Sequence, residues 1–167
     1  MKNKILIIIF VIIAILFCIF VLYRFKLNGN ESAAIKLYNL IIDETLKNDL
    51  GNNYEYLSIY LDKTLDPLNK KELSDYAKKE ILKYAKKYNE VIYDKSKDEL
   101  LSVNNDTTHN LDGISISIST DVNSLSHNKA IINVVYSVGR QNSNMRNYLV
   151  EYSNNSWKIS KILLDVR

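Results

Sequence analysis

An uncharged apolar run near the start of the chain, ILIIIFVIIAILFCIFVLY at residues 5–23, constrains this sequence more than any other feature. Two lysines precede the run, and Arg24 and Lys26 follow it. A helix rises about 1.5 Å per residue, so a run of this length spans roughly 28 Å, close to the hydrocarbon thickness of a bilayer. We therefore predict a transmembrane anchor over residues 1–23.

Two other interpretations of this run are disfavoured by its length and its ends. A cleaved signal peptide has an apolar region of about 7–15 residues that ends in small residues. This run is longer and ends in FVLYRFKLNG. Cys18 follows Phe17, whereas lipoprotein processing needs a small residue there, so an apolar thiol inside the helix is favoured.

The short basic N-terminus predicts the orientation of the chain. Basic residues are balanced across the run, but only four residues precede it, and a signal anchor of that shape leaves its short end in the cytoplasm. The single cysteine lies in the anchor, which agrees weakly with export. We predict a single-pass protein of the cell membrane, with the membrane contacted through residues 5–23 and the C-terminal domain outside the cytoplasm.

The rest of the chain is long enough for one domain. Residues 24–31 (RFKLNGNE) are predicted to form a short polar stalk, and residues 32–167 an extracytoplasmic domain. The formal charge of +3 is spread along the chain. The dense basic patch of a nucleic-acid-binding protein is missing, so no nucleic-acid partner is predicted.

The first half of the domain has helical periodicity. Ser32 is the predicted N-cap of a helix to about Leu50, and residues 54–62 are interpreted as a short helix, although their apolar residues alternate. Asp66-Pro67 is predicted to open a helix to about Asn89. That helix has an apolar stripe and a charged opposite face; the stripe comprises Leu73, Ala77, Ile81, Tyr84 and Tyr88.

The second half changes to a period of two residues. Ile114, Ile116 and Ile118 alternate with serines, as in a half-buried strand. Further strands are predicted at 129–138, 146–153 and 157–166, with a short strand at 90–94 and a helical turn at 96–102. The predicted fold class is α+β: a transmembrane helix, then two to three helices packed on an antiparallel sheet of three to four or more strands.

This order of elements, ending in NYLVEYSNNSWKISKILLDV, resembles the nuclear transport factor 2-like (cystatin-like α+β cone) superfamily. That superfamily ends in a similar hairpin, and its final strand commonly carries a motif like Trp157-Lys158-Ile159. With its anchor, the chain also resembles small membrane-anchored surface proteins of Gram-positive bacteria and bitopic assembly proteins of type IV secretion and conjugation machines. The resemblance implies a cone-shaped domain over residues 32–167.

The superfamily includes isomerases and dehydratases, which need an acid or a histidine deep in an apolar cone. Asp121, Glu151 and Asp165 are the acids on predicted strands or at their ends, and His109 and His127 lie in polar, turn-like sequence. Spacings typical of metal ligands, calcium loops or phosphate-binding loops are missing from the sequence. We predict no catalytic, cofactor-binding or metal-binding residue and no cofactor.

The function predicted from these observations is non-enzymatic binding to a protein or cell-envelope partner. Lys79, Lys83 and Lys86 lie on the charged face of the second helix, where they are either a solvated surface or a contact for anionic lipid or polymer. Two alternatives stay open: an assembly subunit of a secretion or conjugation complex, and a small-ligand or isomerase-type pocket in the cone.

Overall fold

A computed structural model describes residues 2–47, 54–61, 63–95, 113–138 and 143–166. Two helices and eight strands follow one another in these ranges, with a short 3₁₀ turn at Val122–Ser124. Their order is α1 (Lys2–Leu46), β1 (Tyr56–Tyr60), β2 (Leu65–Asp66), β3 (Lys71–Glu72), α2 (Asp75–Ala85), β4 (Ile92–Tyr93), β5 (Gly113–Thr120), β6 (Lys129–Val138), β7 (Asn144–Ser153) and β8 (Ser156–Val166).

The main sheet has six strands in the order β4-β1-β5-β6-β7-β8, and β2 pairs with β3 apart from it. Strands β5 to β8 are joined in sequence and pair antiparallel. Strand β1 pairs parallel with β4 on one side and with β5 on the other. Parallel neighbours need a crossover connection. Between β1 and β4, the crossover contains α2.

The core lies between one face of this sheet and the two helices. Helix α1 contributes a buried stripe, and α2 contributes three buried residues beside it. Alternate residues of the strands cover the sheet side, including Ile116, Ile132, Val134 and Tyr148, each with no exposed surface. Burial of this much aliphatic surface, at about 25 cal/mol per Å², is the main favourable term in folding.

Two buried hydroxyl groups connect α1 to the rest of the core. The Tyr38 hydroxyl donates to the carbonyl of Leu65 and lies 3.0 Å from the Thr120 hydroxyl. Thr45, two turns further along the helix, has its hydroxyl 3.3 Å from that of Tyr148. Burial of a polar group is costly unless it is hydrogen-bonded, so these contacts determine how α1 lies on the sheet.

The predicted alternation in the second half of the chain is confirmed. Ile114, Ile116 and Ile118 are buried on the core face of β5, and the serines between them are half-buried on the opposite face. Strands β6, β7 and β8 occupy the ranges that the sequence predicted, to within two residues at each end.

The prediction of an antiparallel sheet is wrong at the end formed by β4, β1 and β5, where the strands pair parallel. Residues 54–62 were predicted to be helical, but β1 occupies 56–60 at the centre of the parallel part of the sheet. The tyrosines and isoleucine of YLSIY are residues that fit a pleated surface, and three consecutive positions are buried because both faces are covered. The sheet is therefore mixed.

The second predicted helix begins later than its proline suggested. Asp66 accepts hydrogen bonds from the backbone N–H of Leu68 and Asn69, so residues 66–69 form a side-chain-stabilised turn. Helix α2 begins at Asp75, after Ser74, whose hydroxyl accepts from the N–H of Ala77 at 3.1 Å. Serine caps helices well for this reason.

The predicted transmembrane helix is corrected by the structure. Ser32 is not an N-cap, because α1 is one helix from Lys2 to Leu46. Among the residues available for description, no helix combines the length and apolar character that a membrane crossing requires. The single-pass membrane location predicted from residues 5–23 is corrected with it.

The predicted division into anchor, stalk and domain stays a prediction. The residues of the predicted stalk, 24–31, have a helical backbone as part of α1. The short strand predicted at 90–94 is present as β4. The helical turn predicted at 96–102 lies outside the described residues. Gly113 begins β5, and a side chain there would collide with the ring of Tyr56.

The last hairpin has a tight turn and a buried tryptophan. Asn154 and Asn155 have φ values of 51° and 58°, as the two central residues of a type I′ turn require. Trp157 lies two residues after this turn and is 6 % exposed in the core, with its ring centroid 5.2 Å from that of Tyr152. Its indole N–H is buried without an acceptor among the described residues.

We expect Trp157→Ala to lower the free energy of unfolding by about 3–5 kcal/mol, the usual cost of emptying a tryptophan site. Trp157→Phe should cost much less, because it keeps most of the ring volume and removes an N–H that has no acceptor. Urea denaturation measures both values, with Val122→Ala, at a position 66 % exposed, as the control. Equal stability of the alanine variant and the parent would contradict the packing described.

Candidate binding surface

Helix α2 places its lysines on the side that faces away from the core. Ala77, Ile81 and Ala85 are fully buried against α1 and the sheet. Residues three and four positions apart share a face of a helix, so this spacing accounts for which side is buried. Lys79, Lys83 and Lys86 are exposed, and we call them the lysine face.

An exposed aromatic ring extends the lysine face at its N-terminal end. Tyr76 is 62 % exposed and lies three residues before Lys79 and seven before Lys83, on the same side of α2. The nearest acid is Glu80, whose carboxylate lies 3.8 Å from the Lys83 ammonium. An exposed pair at this distance contributes at most a few tenths of a kcal/mol, so Lys83 keeps most of its freedom to contact another anion.

The opposite flank of α2 is fixed to α1 by one carboxylate. Asp43 of α1 accepts hydrogen bonds from the hydroxyls of Tyr84 at 2.7 Å and Tyr88 at 2.8 Å. The Lys87 ammonium lies 2.9 Å from the same carboxylate and 3.9 Å from the centroid of the Tyr84 ring. We call these four residues the Asp43 clamp. They hold α2 in one orientation and thereby orient the lysine face.

The clamp stabilises the ionised form of Asp43. Partial burial of the carboxyl group alone would raise its pKa, but the hydrogen bonds from Tyr84, Lys87 and Tyr88 and the charge of Lys87 lower it by more. The pKa of Asp43 is therefore below its ordinary value. Desolvation alone would lower the pKa of its partner Lys87, but the hydrogen bonds with Tyr84, Asp43 and Tyr88 and the charge of Asp43 together raise it, so the pKa of Lys87 is above its ordinary value.

The three sheet acids considered for an isomerase-type pocket are each used elsewhere. Asp121 caps the 3₁₀ turn by accepting from the N–H of Asn123. Glu151 forms an ion pair with Lys129 at 2.8 Å on the exposed part of the sheet. Asp165 accepts from the Nε of Arg146 at 3.0 Å, so the structure does not bring these acids together.

His127 is exposed in the turn before β6, and His109 lies outside the described residues. Within the ranges that the structure describes, no three His, Cys, Asp or Glu side chains are grouped as metal ligands would be. These observations do not test the prediction that the protein has no cofactor, and it stays a prediction.

The comparisons with known proteins return no match: no family model, curated protein or solved structure is similar enough to this chain to be reported. The resemblance to the nuclear transport factor 2-like superfamily therefore stays a prediction, based on the hairpin and on the order of elements.

Sequence reasoning predicted the lysine face but missed the groups that orient it. Tyr84 and Tyr88 were predicted on the apolar stripe of the second predicted helix, and both are half-buried with their hydroxyls bonded to a carboxylate. Their common acceptor, Asp43, could not be chosen from among the other acids of α1, because which acid meets them depends on how the two helices cross. Arg146, buried beside the ring of Tyr136, was missed for the same reason.

The Asp43 clamp predicts a pH dependence of stability. The pKa of Asp43 is lower in the folded than in the unfolded state, so its contribution is present above the unfolded pKa and is lost as the pH falls through the folded pKa. Between pH 6 and about pH 3, the parent protein should lose more stability than Asp43→Asn, by about 1 kcal/mol once solvent screening is allowed for.

Chemical denaturation at a series of pH values measures this difference. Glu44→Gln is the matched control, because Glu44 is the adjacent acid of α1 and pairs only with the exposed Lys47 among the described residues. The control should follow the parent at every pH. Parallel curves for the parent and Asp43→Asn would show that the clamp does not contribute.

Proposed function

We propose that this protein is a non-enzymatic binding domain that contacts an anionic partner through the lysine face of α2. The observation that carries the proposal is the exposure of Lys79, Lys83 and Lys86 on a helix whose other flanks are buried or clamped. A solvated lysine surface needs no fixed orientation. Here the orientation is maintained by Ser74 at one end of α2 and by Asp43 near the other.

The chemistry of the face favours phosphate-bearing anions spread along a surface or polymer. Lysine ammonium groups are mobile point charges that attract phosphate without demanding a bidentate geometry. Each lysine near an anionic surface contributes about 1 kcal/mol, so three together contribute roughly 3 kcal/mol, or about a hundredfold in affinity. Tyr76 adds an amphipathic ring beside the charges.

The partner class that we propose is a glycerol-phosphate polymer. Anionic lipid headgroups carry the same phosphate chemistry, and the two sources are separated by experiment. The absence of catalysis is part of the proposal, and it is supported by the positions of Asp121, Glu151 and Asp165 in surface turns and ion pairs. The assembly-subunit alternative stays a prediction.

The test is binding of the full chain to soluble poly(glycerol phosphate) by isothermal titration at low and at physiological salt. Replacing Lys79, Lys83 and Lys86 with Gln should weaken binding by roughly 10- to 100-fold and flatten its salt dependence, because exposed charge pairs are screened within about 10 Å at 0.1 M salt. The fold should persist, since all three side chains are exposed.

A charge-matched variant, with Lys36, Lys63 and Lys71 replaced by Gln, removes three exposed lysines that lie outside α2. It should bind as the parent does. Phosphatidylglycerol vesicles form the second arm, and preference for them would assign the phosphate to lipid. Equal loss in both triple variants would indicate a general charge effect, and no binding to either probe at low salt would leave the lysine face as a solubilising surface.

A further inference from the structure

Strand β8 forms one edge of the six-stranded sheet and is exposed along most of its length. It pairs with β7, and no other described strand lies on its outer side. Every residue from 160 to 166 is exposed. Four of these seven are large and apolar, with exposed fractions of 38–51 %: Ile162, Leu163, Leu164 and Val166. An unpaired edge with apolar side chains is a ready template for another strand.

Proteins commonly protect such an edge with charges, prolines or β-bulges. Two bulges are present here, because the pairing with β7 skips Ser160 and Leu163. As a result, the nine residues 158–166 of β8 lie against only seven residues of β7, 145–151. The bulges determine which side chains share a face. They do not add charge, and the last five residues of β8, ILLDV, contain only one charged side chain.

The pairing with β7 shows which side chains of β8 lie on the face of the sheet away from the helices. Residues directly opposite each other in a ladder share a face. On β7 this outer face carries Met145, Asn147, Leu149 and Glu151, and on β8 their partners are Val166, Leu164, Lys161 and Lys158. The outer face of β8 is thus apolar at one end and basic at the other, while Asp165 shares the core face with Arg146.

We propose that the free edge of β8 pairs with an extended strand of a partner protein, apolar opposite Val166 and Leu164 and acidic opposite Lys161 and Lys158. Neither lysine has an ion pair among the described residues. Strand β7 matches this pattern at the two ends, where Met145 lies opposite Val166 and Glu151 opposite Lys158, and departs from it between them, where Asn147 and Leu149 lie opposite Leu164 and Lys161. The inference is independent of the lysine face on α2.

A second copy of β8 is a poorer occupant than an acidic strand. When two copies of β8 pair antiparallel, their outer faces lie on the same side of the combined sheet. The outer face of β8 carries two lysines and no acid. Self-pairing would therefore leave both ammonium groups without an anion across the ladder. A partner with glutamates at those positions supplies one for each.

The probe is a dye-labelled heptapeptide, VTVTETE, whose first, third, fifth and seventh residues would face Val166, Leu164, Lys161 and Lys158 in an antiparallel pairing. The control peptide is VTVTKTK. The full chain should bind the acidic peptide roughly tenfold more tightly than the basic one, as measured by fluorescence anisotropy. Replacing Lys158 and Lys161 with Glu should reverse the preference.

Leu164→Lys places a charge on the edge and should abolish binding of the acidic peptide. Val122→Lys is the matched control, because Val122 is equally apolar, is 66 % exposed and lies away from β8. Circular dichroism confirms that both variants fold. The proposal would be overturned by equal affinity for the two peptides or by no binding of either. It would also be overturned by a concentration-dependent dimer that Leu164→Lys disrupts, because that result would assign the edge to a second copy.

Discussion

The packing of α1 across the isoleucine face of the sheet is the contact on which the rest of the structure depends. Without that helix, much of the core face of the sheet would be in water. Two buried hydroxyl contacts determine the position of the helix: Tyr38 reaches Leu65 and Thr120, and Thr45 reaches Tyr148. Helix α2 then packs beside α1, and every outward-facing group on α2 takes its orientation from that pair.

Local patterns predicted the parts of this fold whose neighbours are close in sequence. The alternation of Ile114, Ile116 and Ile118 predicted β5, and the turn before Trp157 predicted the last hairpin. The mixed sheet could not be predicted in the same way. Whether residues 56–60 form a helix or a strand is decided by pairing with β4 and β5, which lie about 35 and 57 residues away along the chain.

The two proposed contacts differ in how far the sequence could reveal them. The lysine face follows from helical periodicity alone, and so it was predicted residue by residue. Simple alternation in β8 would place Trp157 and Lys161 on one face, whereas the bulges at Ser160 and Leu163 put Lys161 on the outer face with Leu164. Bulges have no strong sequence signal, so the character of the edge is visible only in the pairing.

The mixed topology has a consequence for the order in which the chain folds. Strands β5 to β8 are joined by short connections and need only local contacts, whereas Leu57 must meet Ile114, about 57 residues further along the chain. Closing a long loop carries an entropic cost before its contacts contribute, which slows non-local pairing. During synthesis, α1 and β1 emerge first but have no sheet to cover. The part of α1 that packs against β7 and β8 therefore stays in contact with water until the last hairpin is made, and during this interval the chain is open to aggregation or to binding by a chaperone.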